Sequence, residues 1–244
     1  MDSVSVPLRA PAREGRPARA GHSARLRLTI RLAAPALAQL SWRFWNHPRL
    51  AEIFPEYLLT LYASMRATVP LLHAGARRSR AMAADDPVAA ALVPYFEEHA
   101  REELHHDDWL LEDMALLGMD PVAAKQRHAP ADVAAMIGTQ LYWMEYSHPI
   151  CLLGCFAVLE GSPPETEMLD EVASRAGIPK GALRTLYKHA LLDPHHRDDL
   201  DAVLDQLPLE PNHSAMAGIS ALTTMDQLGG ILERLLAAEP RAEG

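Results

Sequence analysis

Apolar residues recur at helical spacing along nearly the whole chain, and no segment keeps up the two-residue alternation of a half-buried strand. No Asn-Gly or Asp-Gly pair stands between β-branched runs, so the sequence contains no sign of a hairpin. Short links join the helices, which are predicted over about 24–46, 55–80, 85–118, 131–160, 164–176, from near Pro179 onwards, and over about 214–238. The pattern therefore predicts an all-α protein, a single helical bundle of about seven helices.

The start of the chain differs in composition from the rest. Residues 1–23 are rich in Arg, Pro, Ala and Gly, which is typical of a disordered tail and leaves residues 24–244 as one helical domain. The net charge of −9 argues against a general nucleic-acid-binding protein. Because the sequence has neither a secretory signal nor an uncharged apolar run of about 18 residues, we expect a cytoplasmic protein with no membrane partner. Cys151 and Cys155 lie in an apolar run and are typical of buried thiols in a reducing compartment.

One short motif offers metal-binding chemistry. His189, Asp193 and His196 are spaced four and then three residues apart, so on a helix their side chains share one face. Two imidazoles and a carboxylate suit a redox-active metal such as iron and leave room for oxygen or substrate. Alternatively, Asp193 is an ordinary N-cap of a helix that begins at Pro194, and the histidines are incidental.

A second segment, residues 97–108, holds more possible ligands than one site needs. On a continuous helix it presents two faces, and both contain a Glu-x2-His pair of the kind used in di-iron bundles. One face carries Phe96, His99, Glu103, His106, Leu110, Met114 and Leu117, and the other carries Tyr95, Glu98, Glu102, His105, Trp109, Glu112 and Leu116. The first face is somewhat more apolar and so leans toward the core, but helical phase alone leaves the choice open. A merely charged surface helix is the plainer alternative for this segment.

The helix predicted over 131–160 is the most apolar of the chain, which indicates a central helix that is buried all round. It ends at Glu160, where a buried carboxylate would need a metal or a basic partner, unless it emerges into solvent. The same helix carries Glu145 and His148, a further Glu-x2-His pair. A ferritin-like site would pair these two residues with the 97–108 segment. It ranks second, because it leaves the motif at 189–196 unexplained.

Three passages, at residues 98–118, 151–161 and 187–196, resemble the heme-oxygenase-like di-iron oxidases, a group of iron-containing redox enzymes. The His-x3-Asp-x2-His element is the most specific of the three. The resemblance implies the seven-helix fold that is shared by heme oxygenase, the thiaminase II group and pyrroloquinoline quinone synthase. Heme itself is disfavoured, because His22 and His47 flank the first predicted helix instead of lying on its apolar stripe.

The resemblance also implies a non-heme, O2-dependent enzyme with two Fe(II) ions, acting on a small amino-acid- or fatty-acid-derived metabolite, and a homodimer. Among the family's ligands, a carboxylate usually stands two turns before a histidine, which selects Glu98 and His105; Glu103 with His106 is the fallback, and Glu102 a possible extra ligand. The implied metal ligands are Glu98, His105, Glu160, His189, Asp193 and His196.

Tyr142 and Glu145, near Tyr146, are the candidate catalytic residues for holding the substrate. Two alternatives stay open. One is a metal-free enzyme of the same fold, with Glu145 and Cys151 as the residues to test. The other is a non-catalytic iron-binding protein.

Overall fold

The computed structural model describes residues 21–237, and within that range it contains ten α-helices, one short 3-10 helix and no strand. The predicted all-α fold is confirmed. The helices are α1 His22–Trp45, α2 Leu50–Met82, α3 Pro87–Glu102, α4 His106–Leu116, α5 Pro121–Gln126, α6 Ala131–Tyr146, α7 Cys151–Leu159, α8 Thr166–Ala176, α9 Arg184–Gln206 (after a 3-10 turn, Lys180–Leu183) and α10 Pro211–Ala237.

The helices outnumber the predicted seven chiefly because two predicted helices are each divided. The helix expected over 85–118 is interrupted between α3 and α4, where His105 adopts the left-handed conformation with a φ of 72°. The helix expected over 131–160 is interrupted between α6 and α7, next to Pro149, which cannot donate a helical hydrogen bond. By contrast, α9 runs unbroken through Pro194, so Asp193 is not the N-cap of a new helix.

Most of the predicted tail lies outside the described residues. Helix α1 begins at His22, and Ser23 is already buried, with its backbone N–H and its hydroxyl both donating to Asp205 of α9. Within the described range, no helix has both the length and the apolar character needed to span a lipid bilayer.

Two apolar clusters form the core. The first cluster is built from the amino-terminal half of α2 together with α4, α8 and the start of α9, and it includes Phe54, Leu110 and Leu169. The second is built from the carboxyl-terminal half of α2 together with α3, α7 and the end of α9, and it includes Phe96 and Phe156. Burial of these side chains supplies the main favourable term for folding.

The chain passes from one cluster to the other at three places. The first is the turn from α3 to α4, the second is the link from α7 to α8, and the third is the middle of α9. At each place a short polar segment lies between apolar segments of the two clusters. Of the predicted metal-binding residues, five fall in these three segments, and Glu98 lies within α3 instead.

Candidate metal centre

Seven polar side chains meet between the two apolar clusters, five from α3, α4 and α9 and two from the residues that directly follow α3 and α7. All but one are buried to 8% exposure or less, and the exception, the His189 side chain, is 14% exposed. Such burial is unusual for charged groups unless they are paired or bind a metal. We call this set the buried cluster, and it consists of His99, Glu103, His106, Glu160, His189, Asp193 and His196.

Glu103 stands at the middle of the buried cluster. Its Oε2 lies 3.2 Å from Nδ1 of His106, and its Oε1 lies 3.6 Å from Nδ1 of His196. The two oxygens therefore face different neighbours. Glu103 accordingly belongs to two sets of possible metal-binding residues. Within each set, the donor atoms lie within 4.8 Å of one another.

The first set consists of His99, Glu103, Glu160 and His196. Nε2 of His99 lies 3.1 Å from Oε1 of Glu160, but the contact lacks the alignment of a hydrogen bond. Nδ1 of His99 lies 3.2 Å from the hydroxyl of Tyr95, which can hold the ring so that Nε2 faces the centre.

The second set consists of Glu103, His106 and His189. Nδ1 of His189 lies 2.9 Å from Oδ1 of Asp193, while its Nε2 is buried without a hydrogen-bond partner. Asp193 thus contacts the second set through its hydrogen bond with His189. The Trp109 ring stacks on His106 at 4.0 Å between centroids and covers this side of the buried cluster.

Burial and facing charges set the pKa values of the buried cluster. Burial raises the pKa of the Glu160 carboxyl. Burial by itself lowers the pKa of His99 and of His189, but the facing carboxylates of Glu160 and Asp193 outweigh it, and both pKa values are raised. The raised pKa values favour protons on these two imidazoles, where the positive charge offsets that of the facing carboxylates. A metal ion would displace them and take over that role.

The residues present fit iron. Imidazole nitrogens and carboxylate oxygens are donors that first-row metals such as iron accept. Buried polar atoms normally have partners, and a shared cation would supply the ones that are lacking here. Four atoms of the buried cluster have no hydrogen-bond partner: His99 Nε2, Glu160 Oε2, His189 Nε2 and His196 Nδ1.

The structure does not bring Glu98 and His105 into this cluster. Glu98 is exposed and pairs with Arg101, and the side chain of His105 is 72% exposed and contacts Asp108. Their seven-residue spacing shares a face only on a continuous helix, and the helix is broken between them at residues 103–105. The fallback residues, Glu103 and His106, lie in the cluster instead.

Tyr142 and Glu145, the expected catalytic residues, also lie apart from the buried cluster. Tyr142 is 61% exposed and Tyr146 76% exposed, on the outer surface of α6, and Glu145 is exposed as well. The ferritin-like assignment fails for the same reason, because it needs Glu145 beside His148. Nε2 of His148 instead lies 3.0 Å from Asp86.

His99 was not among the predicted ligands, although one signal pointed to it. The helical face that leaned toward the core contains His99, Glu103 and His106, and all three side chains are buried. Amphipathic phase therefore predicted which side chains of this segment are buried, whereas the seven-residue pattern selected exposed ones. Glu102 lies at the rim, where its Oε2 is 3.8 Å from Nε2 of His196.

Another group of possible ligands, Asp86, His148 and His213, does not fit a metal. Nδ1 of His148 accepts a hydrogen bond from the backbone N–H of Ile150 at 3.0 Å. Nε2 must then carry the proton of the neutral ring and donate it to Asp86. No lone pair is left on this imidazole for a cation. Asp86 also caps α3 by accepting from the N–H groups of Val88 and Ala89, so the group is structural.

A comparison with protein families decides the family of the chain. A family described as iron-containing redox enzymes matches residues 56–229. The chain belongs to this iron-containing redox enzyme family. The match covers the three passages from which the resemblance was inferred, and it includes every member of the buried cluster. Comparison with curated protein sequences found no match.

Solved structures show the fold. A domain of unknown function with a heme oxygenase-like fold from Shewanella denitrificans superposes with a TM-score of 0.69 at 14% identity, over 90% of this chain and 96% of that one. A TenA homolog from Pseudomonas syringae superposes with a TM-score of 0.67 at 15% identity, over 87% of this chain and 92% of that one. At these identities the likeness describes the heme-oxygenase-like fold alone.

Proposed function

We propose that the protein is a non-heme di-iron, O2-dependent oxidase or oxygenase that acts on a small metabolite derived from an amino acid or a fatty acid. The observation that carries the proposal is the Glu103 carboxylate, whose two oxygens face two sets of buried donors. A carboxylate shared between two groups of histidine and carboxylate ligands suits the di-iron sites that helical bundles build. Membership of the family supports both iron and redox chemistry.

In this proposal the two sets of donors each hold one iron. His99, Glu160 and His196 hold the first ion, His106 and His189 hold the second, and Glu103 lies between them. The ferrous ions would supply the electrons with which O2 is reduced.

The surrounding side chains position these ligands. Asp193 accepts a hydrogen bond from Nδ1–H of His189, which leaves the Nε2 lone pair for the metal. The Tyr95 hydroxyl lies 3.2 Å from Nδ1 of His99 and, when it accepts from Nδ1–H, leaves Nε2 of His99 free in the same way. The rings of Phe156 and Trp109 pack against His99 and His106, which keeps water away from the carboxylates. We assign no catalytic role to Tyr142 or Glu145, because both lie on the outer surface.

Matched pairs of variants test the proposal. Glu103→Gln removes the shared carboxylate, so bound iron after anaerobic Fe(II) reconstitution should fall from about two ions per chain to one or none. Glu98→Gln, the same change five residues away on the surface, should leave the iron content unchanged. His106→Gln against His105→Gln gives a second pair with the same expectation. Iron content and O2 consumption are measured for all four variants, and full iron binding by Glu103→Gln contradicts the proposal.

The runner-up is a metal-free enzyme of the same fold. It would need an accessible nucleophile, and Cys151 and Cys155 are both fully buried. Burial raises the pKa of both thiols, that of Cys155 to about 12, which keeps them protonated near neutral pH. Wild-type protein that binds no iron after reconstitution would favour this alternative.

A further inference from the structure

Four carboxylate side chains are buried among residues 21–237, and three of them belong to the buried cluster. The fourth is Asp113 of α4, whose side chain has no exposed surface. A buried carboxylate opposes folding unless hydrogen-bonding or charged groups pair with it. The groups that face Asp113 therefore indicate what its carboxylate holds in place.

Asp113 connects α4 to the first turn of α9. Its Oδ2 accepts a hydrogen bond from the backbone N–H of Thr185 at 2.9 Å. Backbone N–H groups of a first helical turn have no carbonyl partner within their own helix. The Oδ1 atom lies 3.1 Å from Nη2 of Arg184, an ion pair without the alignment of a hydrogen bond. The carboxylate thus caps α9 from a neighbouring helix, and its charge complements the positive end of the helix dipole.

Arg184 adds a second link between the same two helices. Its Nη2 donates to the backbone carbonyl of Trp109 at 3.1 Å and lies 2.7 Å from Oε2 of Glu112. The Trp109 ring in turn stacks on His106. The first residue of α9 therefore contacts the part of α4 that carries a member of the buried cluster.

These links lie on the same helix faces as two histidines of the second set. His106 and Asp113 are seven residues apart on α4, and Thr185 and His189 are four residues apart on α9, so each pair shares one side of its helix. The rings of His106 and His189 lie 5.2 Å apart between centroids. A shift of α9 relative to α4 at Asp113 would therefore change the separation of the two rings.

The buried carboxylate is a costly way to join two helices. Burial raises the pKa of the Asp113 carboxyl, and the contacts with Thr185 and Arg184 oppose that effect without cancelling it. Well-packed apolar side chains often stabilise such a position as well as an ion pair does. Apolar side chains, however, allow packed helices to slide, whereas a hydrogen bond and an ion pair hold them at one relative position.

We propose that Asp113 is a positioning residue, which fixes α9 against α4 so that His106 and His189 stand at the separation that one metal ion requires. The proposal rests on the proposed function, because these histidines belong to the second set. Ligands that are already in place bind an ion more tightly, since less conformational freedom is lost on binding. Asp113 therefore controls the affinity of the second set more than that of the first, whose ligand on α9 lies two turns beyond His189.

The first test is an anaerobic titration of apo protein with Co(II), which accepts the same donors as iron and whose visible absorption reports its coordination. Asp113→Asn keeps the side-chain shape but removes the charge that pairs with Arg184. We expect one of the two binding steps to weaken about ten-fold in this variant and the other to stay unchanged. Glu112→Gln, one residue away at a side chain that is 62% exposed, should bind as wild type does.

Asp205→Asn controls for a general loss of stability. Asp205 of α9 accepts hydrogen bonds from the backbone N–H and the hydroxyl of Ser23, so it caps α1 from another helix as Asp113 caps α9. Both Asn variants should lower the free energy of unfolding in urea, but only Asp113→Asn should weaken Co(II) binding. Equal weakening in both variants, or wild-type affinity in Asp113→Asn, would overturn the proposal.

A milder variant guards against failure to fold. Arg184→Lys, at a partly exposed side chain, keeps the charge but loses the planar fork that reaches Trp109 and Asp113 together. It should weaken the same binding step to a smaller extent than Asp113→Asn, and wild-type Co(II) binding by this variant contradicts the proposal.

A metal-free measurement separates the role of Asp113 from the di-iron proposal. In crystals of metal-free Asp113→Asn or Arg184→Lys, the rings of His106 and His189 should stand farther apart than the 5.2 Å between centroids found here. An unchanged separation shows that Asp113 does not position these histidines. Wild-type protein that binds no Co(II) or Fe(II) instead refutes the di-iron proposal, whatever the separation of the rings.

Discussion

In His99 and His189, one ring nitrogen contacts a single polar neighbour, and the other ring nitrogen faces the buried cluster. Asp193 holds Nδ1 of His189, Tyr95 holds Nδ1 of His99, and in each case Nε2 is left without a hydrogen bond. A carboxylate neighbour such as Asp193 fixes the tautomer of its histidine and raises the basicity of the other ring nitrogen, the one that would bind a metal. The sequence placed Asp193 among the ligands themselves, and the described geometry places it against His189.

Asp193→Asn distinguishes these two roles. The amide oxygen of Asn can still accept a hydrogen bond from Nδ1–H of His189, but the negative charge is lost. If Asp193 acts through His189, iron affinity should weaken about 10- to 100-fold while saturating Fe(II) still fills the site. A titration of apo protein with Fe(II) measures both quantities. Loss of one iron at saturation would instead make Asp193 a direct ligand.

His148 gives a pH prediction that is independent of the metal. Burial lowers its pKa, His213 and Arg78 add to that effect, and the Asp86 carboxylate opposes it without cancelling it. Between the unfolded pKa of about 6.5 and the lower folded value, the unfolded chain binds a proton that the folded protein does not. The free energy of unfolding should therefore fall as the pH drops below about 6.5, by at most about 1.4 kcal/mol per unit for this residue.

His148→Gln removes the imidazole that takes up this proton in the unfolded chain. Urea unfolding between about pH 7.5 and 5.5 should therefore show that the free energy of unfolding depends less steeply on pH in the variant than in wild type. The variant loses the hydrogen bond to Asp86 and is less stable near neutral pH, by about 1 kcal/mol. The difference between the two proteins should shrink as the medium becomes more acidic. Parallel pH profiles would show that His148 carries no such linkage.

At the level of elements, the break between α3 and α4 decides which side chains enter the centre. Glu103 follows the last residue of α3, and His106 is the first residue of α4, so both point inward although no single helix carries them. The break depends on His105, which adopts a left-handed backbone conformation. That conformation costs an L-residue roughly 1–2 kcal/mol, which glycine avoids.

His105→Gly should therefore stabilise the turn, by about 1 kcal/mol or less, because glycine adopts a positive φ without strain but loses more entropy on folding. The exposed contact with Asp108 is lost and contributes little. Iron content should stay at the wild-type level, since the side chain lies outside the buried cluster. Urea unfolding and iron analysis check both expectations, and reduced iron binding would return His105 to the list of ligands.

On the scale of the whole molecule, the buried cluster joins the two apolar clusters. The turn after α3, the end of α7 and the middle of α9 each pass from one cluster to the other, and each contributes donors at that point. Unpaired carboxylates and imidazoles at such a junction oppose folding unless a cation or protons neutralise them. Metal binding at this junction would therefore be coupled to the stability of the entire bundle.

Anaerobic Fe(II) should raise the midpoint of thermal unfolding. At a free iron concentration about 100 times the dissociation constant, the expected gain is about 2.7 kcal/mol, or several degrees for a chain of this size. Glu103→Gln should lose the shift and Glu98→Gln should keep it. Differential scanning calorimetry with and without iron measures the effect, and an unchanged midpoint in wild type would speak against binding at the junction.

Much of the fold could be predicted from the sequence. The helical class and most helices follow from apolar spacing, because that spacing is a local property of each segment. The internal breaks were harder to place, since a left-handed residue such as His105 is fixed by the packing of α3 and α4 against different clusters. Pro149 coincides with a break, whereas Pro55, Pro70 and Pro194 lie inside continuous helices, so proline alone does not locate the ends.

The sequence by itself determined that His189, Asp193 and His196 share one face, because residues three and four apart on a helix are always neighbours. Only the tertiary structure decided which carboxylate and histidine of the 97–108 segment meet that face. It selected His99, Glu103 and His106 over Glu98 and His105, and brought Glu160 to the same place. The reason is that these contacts join α3, α4, α7 and α9, and their approach depends on how two apolar clusters pack, which no local spacing specifies.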